Sequence, residues 1–198
     1  MPAPRKPDTV DMAIDRYLTN QLLIAMPGML DPNFSTTVTL ICEHNDDGAL
    51  GIVINRPLDL KLRGLFEQLD VKDADPGAAD RPVLLGGPVG PERGFVLHNP
   101  GYAFENSVRV SADIDLTFSR DVIDSLAAGS GPSKTLVALG YAGWQAGQLE
   151  QEMLANSWLN VPATPEIVFD TPFKDRWTSA ARILGIDISR ISPDAGHA

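Results

Sequence analysis

Short apolar runs that contain β-branched residues recur along the chain and predict a series of β-strands. Glycine, proline, asparagine and aspartate separate these runs, as is typical of strands joined by turns. The strands are predicted at residues 22–25, 37–43, 50–55, 83–85, 94–98, 108–110, 136–140 and 166–169. Because the predicted strands come in groups, they favour an α+β fold built on a large mixed sheet over a doubly wound parallel one.

Apolar residues at helical spacing predict a smaller number of helices that pack against the sheet. The clearest pattern covers 171–184, where Pro172 suits the first turn and Gly185 ends the periodicity. Further helices are predicted at 119–128, at 61–69 and from about Trp144 onwards.

Length and composition indicate one domain. The chain has 198 residues, 43% of them hydrophobic, which is enough for a sizeable core. Residues 72–82 are polar and rich in proline and glycine, and they predict an exposed loop rather than a domain boundary. We expect a compact single domain over 16–190, with flexible tails at 1–15 and 191–198.

The net charge limits the classes of partner, and the cysteine count limits the kinds of covalent link and metal site. A formal net charge of -10 opposes direct binding to nucleic acid or to anionic lipid. The single cysteine excludes an intramolecular disulfide and a cysteine-rich zinc site, and no apolar run is long enough for a membrane span. We expect a cytoplasmic protein without a metal or another cofactor.

A possible nucleophilic pair lies in the segment 41–48. In a regular strand Cys42 and His44 share a face and Glu43 points the opposite way, so a thiol and an imidazole could be neighbours. The alternative, which we favour, is that Cys42 packs in the sheet and His44 begins a turn. A hydrolase or transferase that uses His98 or His44 with Cys42 or Glu43 is therefore the second hypothesis for function.

Two strand ends offer candidate binding groups. Gly86 and Gly87 allow the backbone to approach a ligand or another strand closely, and Arg93 supplies a nearby positive charge. Asn55 and Arg56 end another predicted strand, at a position where polar groups often line a site. For the glycine pair we favour a plain hairpin-like connection between two strands, and an ordinary strand-ending turn explains Asn55 and Arg56 about as well.

The segment 140–159 combines glycines, two tryptophans and a polar stripe. If its helix begins near Trp144, then Gln145, Gln148, Glu152 and Asn156 fall on one narrow line. The stripe is either the wall of a pocket or a solvated outer face.

Long motifs in the order found here resemble the YqgE/AlgH family of bacterial proteins. The likeness runs from about Leu22 to Asp187 and is carried by residues 22–57, by "LLGGPVGPERGFVLH" at 84–98, by 126–159 and by 169–185. The resemblance implies a compact α+β fold with a large mixed sheet. Members of the family are often labelled transcriptional regulators, and the resemblance supplies no catalytic residues.

We therefore expect a non-enzymatic regulatory protein that binds a small molecule or another protein, and the sequence leaves its oligomeric state open. No catalytic residue and no metal ligand is assigned. The candidate ligand-binding residues are Asn55, Arg56, Gly86, Gly87, Arg93, His98, Gly143, Trp144, Gln148 and Asn156.

Overall fold

The computed structural model describes residues 16–191, and ten strands form its sheet. The strands are β1 (Gln21–Ala25), β2 (Val38–Asn45), β3 (Gly48–Val53), β4 (Pro57–Lys61), β5 (Pro82–Leu85), β6 (Val89–His98), β7 (Ser107–Arg109), β8 (Asp115–Thr117), β9 (Thr135–Gln145) and β10 (Trp158–Pro162). The helices are α1 (Leu62–Gln68), α2 (Pro76–Ala79), α3 (Arg120–Ala127), α4 (Gln148–Leu154) and α5 (Arg176–Ile183). A π-helical turn spans Glu166–Asp170, and 3₁₀ turns span Phe173–Asp175 and Ile188–Arg190.

The sheet is mixed, as predicted, and β9 lies at its centre. The main strand order is β10-β1-β2-β3-β9-β6-β8-β7, with antiparallel neighbours throughout. β5 runs parallel to β9 on the same edge as β3, and β4 pairs with β5. The α+β fold predicted from the grouping of the strands is confirmed.

The chain passes from one edge of β9 to the other at Gly86 and Gly87, between β5 and β6. A Cβ at Gly86 would lie 2.3 Å from the carbonyl oxygen of Gly140, and one at Gly87 would lie 2.1 Å from the carbonyl carbon of Tyr141. Only glycine allows the two backbones to approach this closely. The close approach allowed by these glycines is therefore one of strand to strand, and it replaces the plain hairpin-like connection that was also predicted.

Both faces of the sheet are buried, which explains why β1 is apolar at nearly every position. Leu22 and Ile24 belong to a core cluster on one face, whereas Leu23 and Ala25 pack on the other face with the residues beneath α4. A third cluster lies under α1, α2 and α3. Continuous apolar runs are typical of strands covered on both faces.

Most predicted elements are confirmed, with shifts of one or a few residues at their ends. The predicted strand at 166–169 is wrong, because that segment forms the π-helical turn, in which the Thr171 amide donates to the Glu166 carbonyl oxygen at 2.8 Å. The Val168 amide likewise donates to the Thr164 carbonyl oxygen at 3.1 Å, so local hydrogen bonds take the place of strand pairing here. The helix predicted over 171–184 is divided into a 3₁₀ turn and α5. β4, β8 and β10 were not predicted.

The predicted exposed loop at 72–82 contains α2. Asp75 caps this helix by accepting a hydrogen bond from the Ala78 amide at 2.8 Å, and Pro76 occupies the first turn. Ala78 and Ala79 are buried, so the loop prediction is wrong there. The predicted tails, apart from residue 191, lie outside the described residues. Among those residues, no helix has the length and apolar character needed to cross a bilayer.

Candidate functional site

The helix predicted from Trp144 begins later, because β9 continues to Gln145. Trp144 lies opposite Ala49 and Gln145 lies opposite Gly48, so both residues are held in the sheet. Gly147 then turns the chain at a φ of +75°, and α4 begins at the next residue. The predicted start of the helix is wrong because strand pairing outweighs the local helical pattern.

Glu152, a residue of the predicted polar stripe, accepts hydrogen bonds from Gln148 of the same stripe and from two tryptophans. The indole Nε1 atoms of Trp144 and Trp158 each donate to Glu152 Oε2 at 2.9 Å, and Gln148 Nε2 donates to Oε1 at 3.0 Å. Phe34 stacks on Trp144 with ring centroids 6.1 Å apart. Because Gln148 and Trp144 both donate to Glu152, both residues help to hold α4 on the sheet.

Two other candidate residues, Asn55 and Arg56, hold loops in place, and a third, Asn156, lies at a helix end. Asn55 Oδ1 accepts from the Val38 amide at 2.9 Å, and its Nδ2 donates to the Thr36 carbonyl at 2.9 Å. Arg56 donates to carbonyl oxygens of the loop 33–35 at 2.8 and 2.9 Å. Asn156 adopts a φ of +55° just after α4, a conformation that asparagine tolerates at a helix end.

His98 is fully buried, and both of its ring nitrogens have partners. Nδ1 donates to the Asn99 carbonyl at 2.8 Å, which leaves Nε2 to accept from the Thr117 hydroxyl at 2.8 Å. The ring also meets Phe104 edge to face. With this set of partners, the imidazole is held in one tautomer inside the fold.

A β-bulge at 41–43 places Cys42 and His44 on opposite faces of the sheet, so the prediction that they share a face is wrong. Cys42 packs in the core cluster that contains β1 and β2 residues. His44 lies opposite Ala49, which packs on the other face, and its Nε2 is 3.1 Å from Glu150 Oε1 on α4. Burial raises the pKa of the Cys42 thiol, which disfavours the nucleophilic thiolate.

His98 is separated from both of its proposed partners, Cys42 and Glu43, by much of the sheet. His98 pairs with Thr135 at the start of β9. Glu43 pairs with Leu50 on β3, which in turn pairs with Gly143 near the end of β9. These two positions on β9 are about 26 Å apart at roughly 3.3 Å per residue. The structure therefore does not bring Cys42 or Glu43 within reach of His98.

Gly143 and Trp144 border an open groove of about 580 Å³ between the β2–β3 hairpin and β9. We call it the hairpin groove. Glu43, Leu50 and Tyr141 also line it. Because Gly143 has no side chain, Tyr141 packs there; a Cβ at Gly143 would lie 3.2 Å from the tyrosine ring.

Arg93 borders a smaller cavity of about 160 Å³ next to the groove, which we call the Arg93 cavity. Glu43 and Leu50 line both spaces, so the two are adjacent. The other residues that line the cavity are apolar: Cys42, Phe95, Val108, Leu116 and Phe118.

The Arg93 guanidinium stands over two aromatic rings without an anionic partner. Its central carbon is 5.7 Å from the ring centroids of both Phe95 and Tyr141, a cation–π arrangement. Within residues 16–191 its guanidinium makes neither an ion pair nor a side-chain hydrogen bond. Glu43, at the junction with the groove, accepts a hydrogen bond from Asn45 Nδ2 at 3.0 Å. The site therefore has a positive end and a negative end around an apolar centre.

The structure brings only some of the candidate residues together. Gly143, Trp144 and Arg93 meet around the groove and cavity, whereas His98 lies at the opposite end of β9. Phe95, Phe118 and Leu50 were not predicted for this site, because none has a local sequence pattern that distinguishes it from a residue of the hydrophobic core. In the part of the chain that is described, no set of three or more histidine, cysteine, aspartate or glutamate residues could hold a metal ion.

Comparison with known proteins gives a consistent family. A family model described as AlgH-like matches residues 22–189. A UPF0301 protein from Cupriavidus metallidurans is 54% identical over 181 residues, covering 91% of this chain and 95% of the relative. A UPF0301 protein from Nitrosococcus oceani is 51% identical over 182 residues, covering 92% and 97%.

Solved structures agree with the observed fold. The solution structure of the AlgH protein from Pseudomonas aeruginosa has a TM-score of 0.76 and 44% identity, and the match covers 99% of this chain and all (100%) of that one. A crystal structure from Corynebacterium diphtheriae, at 21% identity, shares the fold with a TM-score of 0.66 over 84% of this chain and 86% of that chain. With its family model, its relatives and its fold in agreement, the chain belongs to the AlgH-like family.

Proposed function

We propose that this protein is a cytoplasmic, non-enzymatic regulator that binds an extended segment of a partner protein along the hairpin groove. An apolar side chain of the segment enters the Arg93 cavity, and a neighbouring carboxylate of the segment pairs with Arg93. The observation that carries this proposal is the guanidinium of Arg93, which stands at an apolar cavity over two aromatic rings and has no anionic partner among residues 16–191.

The sizes of the two spaces favour a protein segment over a drug-sized small molecule. Sites for drug-sized ligands usually enclose about 300–1,000 Å³. The Arg93 cavity, at about 160 Å³, has room for a single side chain. The hairpin groove is larger but open, as a surface that accepts an extended chain would be.

The residue types at the site are those that dominate protein interfaces. Arginine, tyrosine and tryptophan are enriched among interface residues that carry most of the binding energy. Phe118 and Val89 remain 45% and 40% exposed beside the cavity and the groove, which leaves apolar surface for a partner to cover. Asp47 lines the groove but not the Arg93 cavity, and Glu43 stands where the two meet; these carboxylates would orient the segment through its positive end.

Direct recognition of DNA is a weaker explanation of a regulatory role. The net charge of -10 opposes approach to phosphates. Arg120, the basic residue of α3, is 3.4 Å from Asp124 and also donates to the Leu69 carbonyl, so it is not available to read a groove. We therefore propose that any regulatory role is exerted by binding to a protein.

Selection of peptides tests the proposal without knowledge of the partner. A displayed library of random peptides is selected on the immobilised protein, and the winners are synthesised and measured by calorimetry. We expect an aromatic or large aliphatic residue beside aspartate or glutamate in the selected peptides. Arg93→Ala should weaken their binding about tenfold or more, the value expected for one lost hydrogen-bonded charge pair.

The matched control is Arg182→Ala, which removes an exposed arginine outside the groove and the cavity. It should leave affinity unchanged. Equal binding to wild type and Arg93→Ala, or selected peptides without an acidic residue beside an apolar one, would refute the proposal.

A further inference from the structure

A second cavity, of about 150 Å³, lies at the other end of β9 and is lined by two arginines. We call it the Arg81–Arg176 cavity. Thr135 is its remaining polar side chain, and no carboxylate lines it. The apolar walls are Leu62, Pro82, Leu136, Val137, Phe169 and Phe173.

Local sequence explains how the two guanidinium groups come together. Arg81 immediately precedes β5, Thr135 begins β9, and these strands pair in parallel, so both residues lie at the same sheet edge. Arg176 begins α5, directly after the 3₁₀ turn that contains Phe173. Its guanidinium carbon is 4.5 Å from the centroid of the Phe173 ring.

Arg176 is only 1% exposed, yet neutral groups supply its hydrogen bonds. Nε donates to the Thr171 carbonyl at 2.8 Å, and Nη1 donates to the Ile54 carbonyl. Nη2 has no hydrogen-bond partner within residues 16–191. Burial lowers the pKa of this guanidinium to about 10, and Asp170 acts in the opposite direction. The group is still a cation at neutral pH.

The nearby charges leave this cavity positive. Arg81 donates through Nη1 to the Thr135 hydroxyl and has no ion pair within the described part of the chain. Asp170, the carboxylate that acts on Arg176, is already paired with Lys134. A buried cation without a paired carboxylate is costly, and here the buried Arg176 has a second, half-buried arginine, Arg81, as its neighbour in the cavity.

We propose that the Arg81–Arg176 cavity binds a small organic carboxylate. Its two oxygens accept hydrogen bonds from the unused donors of Arg81 and Arg176, a geometry for which guanidinium is well suited. Its carbon part packs against Phe169 and Leu62 inside the cavity. An apolar protein cavity of about 150 Å³ accommodates a benzene ring, so the volume matches a single ring or a short chain.

The apolar walls separate this ligand from inorganic anions. Phosphate also accepts hydrogen bonds from arginine, but it leaves the aromatic and aliphatic walls without a partner. A neutral amide of the same shape fills the cavity and leaves both cations unpaired. The site therefore requires a negative charge and a carbon skeleton in one molecule.

Titration with matched small molecules tests this site. Backbone amide spectra of the full chain are recorded with benzoate, benzamide, acetate and inorganic phosphate, at an ionic strength held constant with chloride. We expect benzoate to shift the amides around Thr135 and Arg176 at lower concentration than acetate or phosphate, and benzamide to have no effect. Ring protons of benzoate should show contacts with Phe169 in the unmodified protein.

Arg81→Gln should weaken benzoate binding about tenfold, because one charged hydrogen-bond donor is lost. The matched control is Arg63→Gln, which removes an exposed arginine that pairs with Asp80 on the surface. Tighter binding of phosphate than of benzoate, equal effects of benzoate and benzamide, or unchanged affinity in a folded Arg81→Gln variant would each overturn the proposal. The ring contacts in the unmodified protein decide the matter if that variant does not fold.

Discussion

Replacement of Glu152 should destabilise the protein more than replacement of any exposed glutamate on its helices. Glu152→Ala removes the acceptor of three hydrogen bonds and leaves two indole N–H groups without it. Trp144 and Trp158 are only 6% and 3% exposed, so water replaces the lost acceptor poorly. A hydrogen bond to a charged group contributes about 1.5–3 kcal/mol to stability, and each unsatisfied buried donor costs about 1–3 kcal/mol. Because the two contributions describe partly the same interaction, we expect the free energy of unfolding to fall by about 3–5 kcal/mol.

Urea unfolding followed by tryptophan fluorescence measures this change. Glu152→Gln keeps an oxygen that accepts from both indoles, and it should cost about half as much as Glu152→Ala. Glu67→Ala on α1 is the matched control, an exposed helical glutamate whose loss should change stability by about 0.5 kcal/mol at most. If Glu152→Ala unfolds at the same urea concentration as Glu67→Ala, the carboxylate does not hold the two tryptophans and α4 together.

Two further predictions concern the crossing of β9 and the buried thiol. Gly86→Ala should prevent folding or lower the thermal midpoint strongly, since its Cβ would lie 2.3 Å from a backbone oxygen, whereas Gly94→Ala, with no atom within 4 Å of its Cβ, should be tolerated; similar midpoints would contradict the crossing. Cys42 should resist a thiol reagent in the native protein and react once urea unfolds the chain. Because burial raises the native thiol pKa, the stability that this group contributes is present below its ordinary pKa of about 9 and declines as the pH rises above that value. A free energy of unfolding that does not change between pH 8 and about 10 would argue against burial of the thiol.

Local sequence patterns predicted the strands that are apolar on both faces, such as β1, because burial on both sides leaves a continuous apolar run. The patterns failed where tertiary pairing decides the structure. Trp144 has a helical pattern after it, yet hydrogen bonding between β9 and β3 keeps it in a strand. β8 is only three residues long, and β10 begins soon after α4 with only residues 155–157 between them, so neither has a run from which periodicity can be judged.

The candidate site was predictable only in part. Arg93 was singled out as a fixed charge and Gly143 as a candidate binding residue of the segment 140–159, and both border the proposed site. Leu50, Phe95 and Phe118 join them because the strand order places β3, β9, β6 and β8 side by side. A single sequence does not specify these long-range pairings, since each strand has the same local pattern whichever neighbour it has. Asn55 and Arg56 show the converse, because polar residues at a strand end here hold a neighbouring loop.

The position of a bound peptide tests the central claim most directly. Amide and methyl spectra of the protein are recorded as the tightest selected peptide is added. The account predicts that the largest changes surround Arg93, Phe95, Phe118 and Tyr141, and that replacing the acidic residue of the peptide by its amide reduces its affinity for the wild type but not for Arg93→Ala. Changes centred on α5 or α3, or an equal loss of affinity in both proteins, would contradict it.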